Sequence, residues 1–117
     1  MSEEALPIEV LERVADRFRA LGEPARLGLL SVLRDGECTV TELVGASGLS
    51  QANVSRHLRV LHAAGLVSRR REGTWVHYGL ADDGVLQLCD LVCGRVEREV
   101  AGWQAWHRGP RPEAGSP

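Results

Sequence analysis

The chain has no lysine, few aromatic residues (three Trp, one Tyr, one Phe), only three cysteines and no long apolar run. Each shortage excludes something. Nothing approaches the roughly 18 consecutive apolar residues that span a bilayer. The acidic start MSEEALP lacks the basic and apolar regions of a signal peptide. A cytoplasmic protein with no membrane partner is therefore expected. Cys38, Cys89 and Cys93 are too few for a disulfide framework, and in that compartment they are expected as thiols. Scarce aromatics leave the core to aliphatic helix packing. No Gly-rich phosphate loop, Ser/His/Asp arrangement or supported carboxylate pair is present, which argues against an enzyme.

What is present is a charge asymmetry hidden by the net charge of −2. Ser50 to Leu80 holds five arginines (Arg56, Arg59, Arg69, Arg70, Arg71) against one acid, Glu72, for +4, and leaves −6 on the remainder. A basic face on an acidic body is the footprint expected for a polyanion. All 14 basic residues are arginine, which suits phosphate and guanine better than lysine and also fits a genomic base-composition bias. At 117 residues the chain is one small domain burying a modest share of its surface, so dimerisation is expected to cover more.

Punctuation along the chain predicts five helices. Val10, Leu11, Val14, Ala15, Phe18 and Leu21 recur at helical spacing, with Pro7 in the first turn. Gly22-Glu23-Pro24 starts a second helix, with Leu27, Leu30 and Leu33 inward, ending at Asp35-Gly36. Thr39 and Glu42 form a capping box for a third helix, about Val40 to Ala46, with Leu43 and Val44 inward. Gly48 marks a turn, Ser50 caps a fourth helix and Gly65 closes it. Val54, Leu58 and Leu61 form its apolar stripe. Val67 to Arg71, a Glu72-Gly73 turn and Trp75 to Leu80 read as a hairpin. A last helix runs from about Val85 to Trp106, with Val85, Leu88, Cys89, Val92, Val96, Val100 and Trp103 as its stripe. The predicted fold is mainly α with a β-hairpin wing, a winged helix-turn-helix. Residues 1–6 are expected as a flexible arm, 7–106 as the DNA-binding and dimerisation domain, and 107–117 as a flexible, Pro- and Gly-rich tail.

That layout points to double-stranded DNA. On the fourth helix Gln51 and Asn53 are amides suited to adenine, Arg56 addresses guanine or phosphate, and Ser55 serves either. N-terminal residues of such a helix aim most directly into the major groove. Arg59 and His62 read as phosphate contacts or solvated groups. In the wing, Arg70 or Arg71 is expected to meet backbone or minor groove, because strand alternation sends only some arginines toward DNA. The competing readings are an ordinary amphipathic helix with a solvated face, and a winged-helix module for protein contacts.

The segments LGEPARLGLLSVL, ELVGASGLSQANVSRHLRVLHAAGLV and RREGTWVHYGLAD resemble the ArsR/SmtB family of bacterial winged-helix repressors, over about Val10 to Glu99. The resemblance implies a homodimer that dimerises through its first and last helices, with two recognition helices reading an inverted-repeat operator. It also implies repression relieved by an inducer, often a metal or metalloid ion. The family's sensor patterns do not transfer. Thr39 and Thr41 stand where the arsenic-sensing pattern has cysteines, and Cys38 is one residue out of register. Asp82 fits the first place of the zinc pattern on the last helix, but Gly84, Arg95 and Arg98 occupy the other three. Ser31 stands where persulfide-sensing members carry a cysteine.

Cys89 and Cys93 lie one helical turn apart and are spaced to share one soft ion. With Cys38 or a group from another subunit, they are suited to As(III), Cd(II), Pb(II) or Hg(II) as inducer. Core packing is the opposing reading, since free cysteine behaves as a small hydrophobe. Thiol oxidation or persulfide response is a second sensing alternative, and a regulator with no cysteine-based sensing is a third. The four histidines show no metal-ligand spacing; solvation, packing or DNA contact is expected of them.

Overall fold

Nine short elements follow one another closely in the computed structural model, which describes residues 5–108. They are α1 (Ile8–Leu21), α2 (Pro24–Val32) with a 3₁₀ turn (Leu33–Asp35), β1 (Cys38–Thr39), α3 (Val40–Ser47), α4 (Gln51–Ala63), β2 (Val67–Glu72), β3 (Trp75–Leu80) and α5 (Asp83–Arg108). This is a winged helix-turn-helix of five helices. Residues 1–4 of the expected arm and 109–117 of the expected tail lie outside the described residues. Pro7 is the N-cap of α1, not part of its first turn, and its carbonyl accepts from the N–H groups of Val10 and Leu11. Helix α5 ends at Arg108, two residues beyond the expected Trp106. The chain divides after Val85 into two compact units.

In the first unit, α2 packs on α3 and α4, and the fully buried side chains are Leu29, Leu33, Leu43, Leu58, Leu61 and Val54. Leu30 joins them, but Leu27, expected inward, is exposed and Leu29 takes the core position. Residues 29, 30 and 33 lie on one side of a helix, whereas 27 falls two residues before 29 and so turns away. Burying each such side chain contributes about 1.5–3 kcal/mol. Helix α1 behaves differently. Only Ala20 and Leu21 at its C-terminal end are buried, and Val10, Leu11, Val14 and Phe18 are exposed.

The α3–turn–α4 segment is built from reciprocal capping. Thr39 N–H donates to Glu42 Oε1 at 2.8 Å and Glu42 N–H to Thr39 Oγ1 at 3.2 Å, closing the capping box. Gly48 takes φ 77°, a left-handed conformation that other residues adopt at a cost. Ser50 Oγ then accepts from Asn53 N–H at 3.1 Å to start α4. At the far end, Gly65 N–H donates to the His62 carbonyl and Leu66 N–H to the Leu61 carbonyl, the paired bonds of a Schellman motif. Leu66 and Val67, both buried, lead straight from that cap into β2.

The sheet is three-stranded and antiparallel, ordered β1-β3-β2, where a two-stranded wing was expected. The added strand pairs Cys38 with Tyr78 and Thr39 with His77. The hairpin turn is Gly73-Thr74, one residue later than expected, because Glu72 still pairs with Trp75. Gly73 sits at φ 63° and no described non-glycine residue has positive φ, the pattern of a type II′ turn.

The second unit is the rest of α5. The whole helix is about 39 Å long at 1.5 Å per residue. Its entry is capped by Asp82, whose Oδ1 accepts from Val85 N–H at 3.2 Å. Val92, Val96, Val100 and Trp103 form one stripe and are exposed, as is Leu91. Among the described residues no helix is long and apolar enough to cross a membrane.

Among the described residues of the first unit one polar side chain is buried: His57 of α4, 4% exposed. Burial is the main cause holding its imidazole below the ordinary value, with the Arg56 and Arg26 charges adding to it. The unfolded chain therefore takes up the proton first. Stability contributed by neutral His57 is fully present above about pH 6.5 and is lost as pH falls below it. Urea melts should show that decline in the wild type, with a shallower slope in His57→Gln. Leu58→Ala should lower stability by about 2–5 kcal/mol at neutral pH in the same melts, as a large-to-small change at a fully buried site.

Candidate nucleic-acid interface

Helix α4 has two faces. Val54, His57, Leu58 and Leu61 are buried, while Gln51, Asn53, Arg56, Arg59 and His62 are exposed and Ser55 is half-buried. The inward residues anchor α4 against α1, α2 and α3. The outward ones therefore project from a helix whose orientation is set by its core side. Arg56 Nη2 donates to Asn53 Oδ1 at 3.2 Å, one turn earlier, so two of the expected base-reading groups are joined before any ligand arrives. The Arg59 side chain makes no hydrogen bond or ion pair among the described residues.

In the wing the three arginines diverge. Paired residues of an antiparallel ladder share a face. Arg69 and Arg71 stand with Tyr78 and Val76, and Arg70 with His77 on the other side. Arg69 Nε donates to Tyr78 Oη at 3.2 Å. Arg70 is clamped: Nη2 reaches Glu37 Oε1 at 2.7 Å and Nη1 reaches Glu72 Oε1 at 3.2 Å. Its hydrogen bonds hold the Glu37 carboxyl below the ordinary carboxylate range, with the Arg70 charge acting in the same direction. Glu72 also lies 3.4 Å from His77 Nε2. Arg71 has no hydrogen-bonding or ionic partner among the described residues. Of the two wing arginines expected to meet DNA, Arg71 is thus the uncommitted one.

Two residues near the interface were not singled out from sequence. Glu37 is 33 positions from the arginine it clamps. Arg26 of α2 reaches His57 from 31 positions away. Neither separation leaves a local pattern to read.

The three cysteines are thiols. Cys38 lies on β1, half-buried, with Sγ 3.8 Å from the Gly36 carbonyl. Burial, followed by the charges of Glu42 and Asp35, pushes its thiol up, away from the thiolate that binds soft metals. Cys89 is half-buried and Cys93 exposed, four residues apart on α5. Among the described residues no three His, Cys, Asp or Glu side chains gather closely enough to hold a metal ion. Cys38, Cys89 and Cys93 thus do not form a three-ligand cluster among the described residues.

The family profile described as "Bacterial regulatory protein, arsR family" matches residues 23–69. The chain is 39% identical over 94 residues to a transcriptional repressor SmtB homolog of a Synechocystis strain, covering 80% of this chain and 71% of the relative. It is 45% identical over 75 residues to a probable mercury resistance operon repressor of Streptomyces lividans, covering 64% of this chain and 60% of that one. A solution structure of a homodimeric winged helix-turn-helix DNA-binding domain from Mycobacterium bovis, a possible ArsR-family transcriptional regulator, superimposes with a TM-score of 0.75. It is 32% identical, with 86% of this chain and 91% of that chain covered. These relatives are named as regulators, not enzymes. Their identities and coverage, together with the fold, place the chain in the ArsR family of bacterial regulatory proteins.

Proposed function

We propose that this protein is a cytoplasmic, homodimeric transcriptional repressor that binds an inverted-repeat operator through α4 and the wing, and releases it on sensing a thiophilic metal or metalloid ion. The observation that carries the DNA reading is the two-faced α4, anchored by Val54, Leu58 and Leu61 and presenting Gln51, Asn53 and Arg56 outward, with Ser55 half-buried beside them. Arg56, with the Gln51 and Asn53 amides, supplies base contacts; Arg59 and Arg71 neutralise phosphates. Arg70 is already ion-paired at the surface with Glu37 and Glu72, and its phosphate role is secondary to those pairs.

A second copy of the chain is the proposed cover for the exposed apolar residues of α1 and α5. Large apolar stripes are rarely left in water on a monomer, and the Mycobacterium bovis neighbour is homodimeric. Cys89 and Cys93 are the proposed inducer ligands, completed by a donor outside the single chain. The mercury resistance repressor among the relatives supports a soft ion. Bound there, the ion would tie two thiolates on a helix whose apolar stripe joins the subunits, biasing the spacing of the two reading heads.

Affinity for a duplex enriched by the protein from a random-sequence library should fall linearly in log–log form as salt rises. Arg71→Ala should reduce that slope by about 1, and Gln51→Ala should cost about 1–3 kcal/mol at one base position. An unchanged affinity in both variants would overturn the assigned face. Hg(II) or Cd(II) should release the wild type from that duplex but not the Cys89→Ser/Cys93→Ser double variant; release that survives the double change would sink the cysteine sensor.

A further inference from the structure

The ring of His57 stands between two guanidinium groups. Arg26 Nη1 lies 3.4 Å from Nδ1, and Arg56 Nη2 lies 3.4 Å from Nε2. Guanidinium groups only donate, and a neutral imidazole has a single acceptor nitrogen. In either tautomer one arginine can be satisfied by the ring; once the ring is protonated, neither can. Arg26 is the fixed member of the three. Its Nε donates to the Ala20 carbonyl at 2.6 Å and its Nη2 to the Arg19 carbonyl at 3.3 Å, at the C-terminal end of α1, where cations are favoured. Arg56 is exposed and, among the described residues, its side chain is held by Asn53 and the ring, so it is the one that can move.

Resting on the DNA reading above, we propose that neutral His57 is a positioning residue for Arg56, and that protonating His57 expels Arg56 from its reading position. Acidification then weakens sequence-specific DNA binding. The charged groups acting on the ring are Arg56 from its own helix, Arg26 from α2 and Glu23 at the α2 N-cap. Glu23 is the weakest of these influences and the only one favouring the proton. A proton on a ring 4% exposed thus places a third positive charge between two others with little water to screen it.

The sign is diagnostic. Added positive charge near a polyanion strengthens binding of any sequence. Only a group whose protonation disrupts a reading contact lowers specificity in acid.

The test compares affinity for a library-enriched duplex with affinity for mixed-sequence duplex, by fluorescence anisotropy at fixed salt. The range runs from about pH 7.5 to about pH 4.5, reaching well below the ordinary imidazole value because burial and two arginines hold the ring below it. The wild-type ratio should fall roughly tenfold, the scale of one specific base contact. His57→Gln cannot titrate there and keeps an amide acceptor, so its ratio should stay flat. Arg56→Ala should have a low ratio at every pH, equally flat, which keeps the idea falsifiable if His57→Gln fails to fold. Circular dichroism at each pH separates unfolding from displacement. A wild-type ratio that holds or rises in acid overturns the inference alone, as does a tenfold fall that persists in Arg56→Ala or coincides with lost helix signal. Failure to enrich any duplex overturns the DNA reading, and this inference with it.

Discussion

Everything in the reading head depends on α4 being held from one side. Its inward residues Val54, Leu58 and Leu61 are fully buried, and this anchoring leaves the outward residues with a defined direction before any ligand is present. A helix of 13 residues is marginal alone in water, so packing, not propensity, makes it persist. The caps at its two ends act on the same constraint. Ser50 sets where the helix begins, which decides that Gln51 to Arg56 fall in its first turns. The Schellman bonds at Gly65 and Leu66 set where it stops, which delivers the chain directly into β2.

The wing follows from that delivery. The β2–β3 ladder puts Arg69 and Arg71 on one face and Arg70 on the other. Because β1 pairs with β3, the stretch before α3 becomes part of the same sheet, and Glu37 comes to lie against Arg70. One short strand thus joins the wing to the start of the helix-turn-helix. That pairing also places Cys38 in the sheet, where burial and acidic neighbours keep its proton on. Cys89 and Cys93, on α5, stand in a different setting, one of them exposed.

Helices announced themselves because their signals are local. The Thr39/Glu42 box, the Ser50 cap and the 54-58-61 stripe each lie within a few residues, and the structure reproduces all three. The missed features are those that need distant partners. A two-residue strand has no periodicity of its own; Cys38-Thr39 becomes one only by meeting Tyr78 and His77. The choice between Leu27 and Leu29 turned on which side of α2 meets α3 and α4. The hairpin turn slipped by one residue because Glu72 gains a ladder partner in Trp75.

By itself the sequence determined which segments become helices, with their ends within about two residues, the 54-58-61 stripe of α4, and that a basic segment sits on an acidic chain. Capping, 3.6-residue spacing and charge count are short-range properties, readable without knowing the fold. Tertiary structure alone decided which of those charges are available. It bound Arg70 to Glu37, left Arg71 without an ionic partner among the described residues, and set His57 between Arg26 and Arg56. Partners 31 and 33 positions apart meet only once packing has closed the chain on itself.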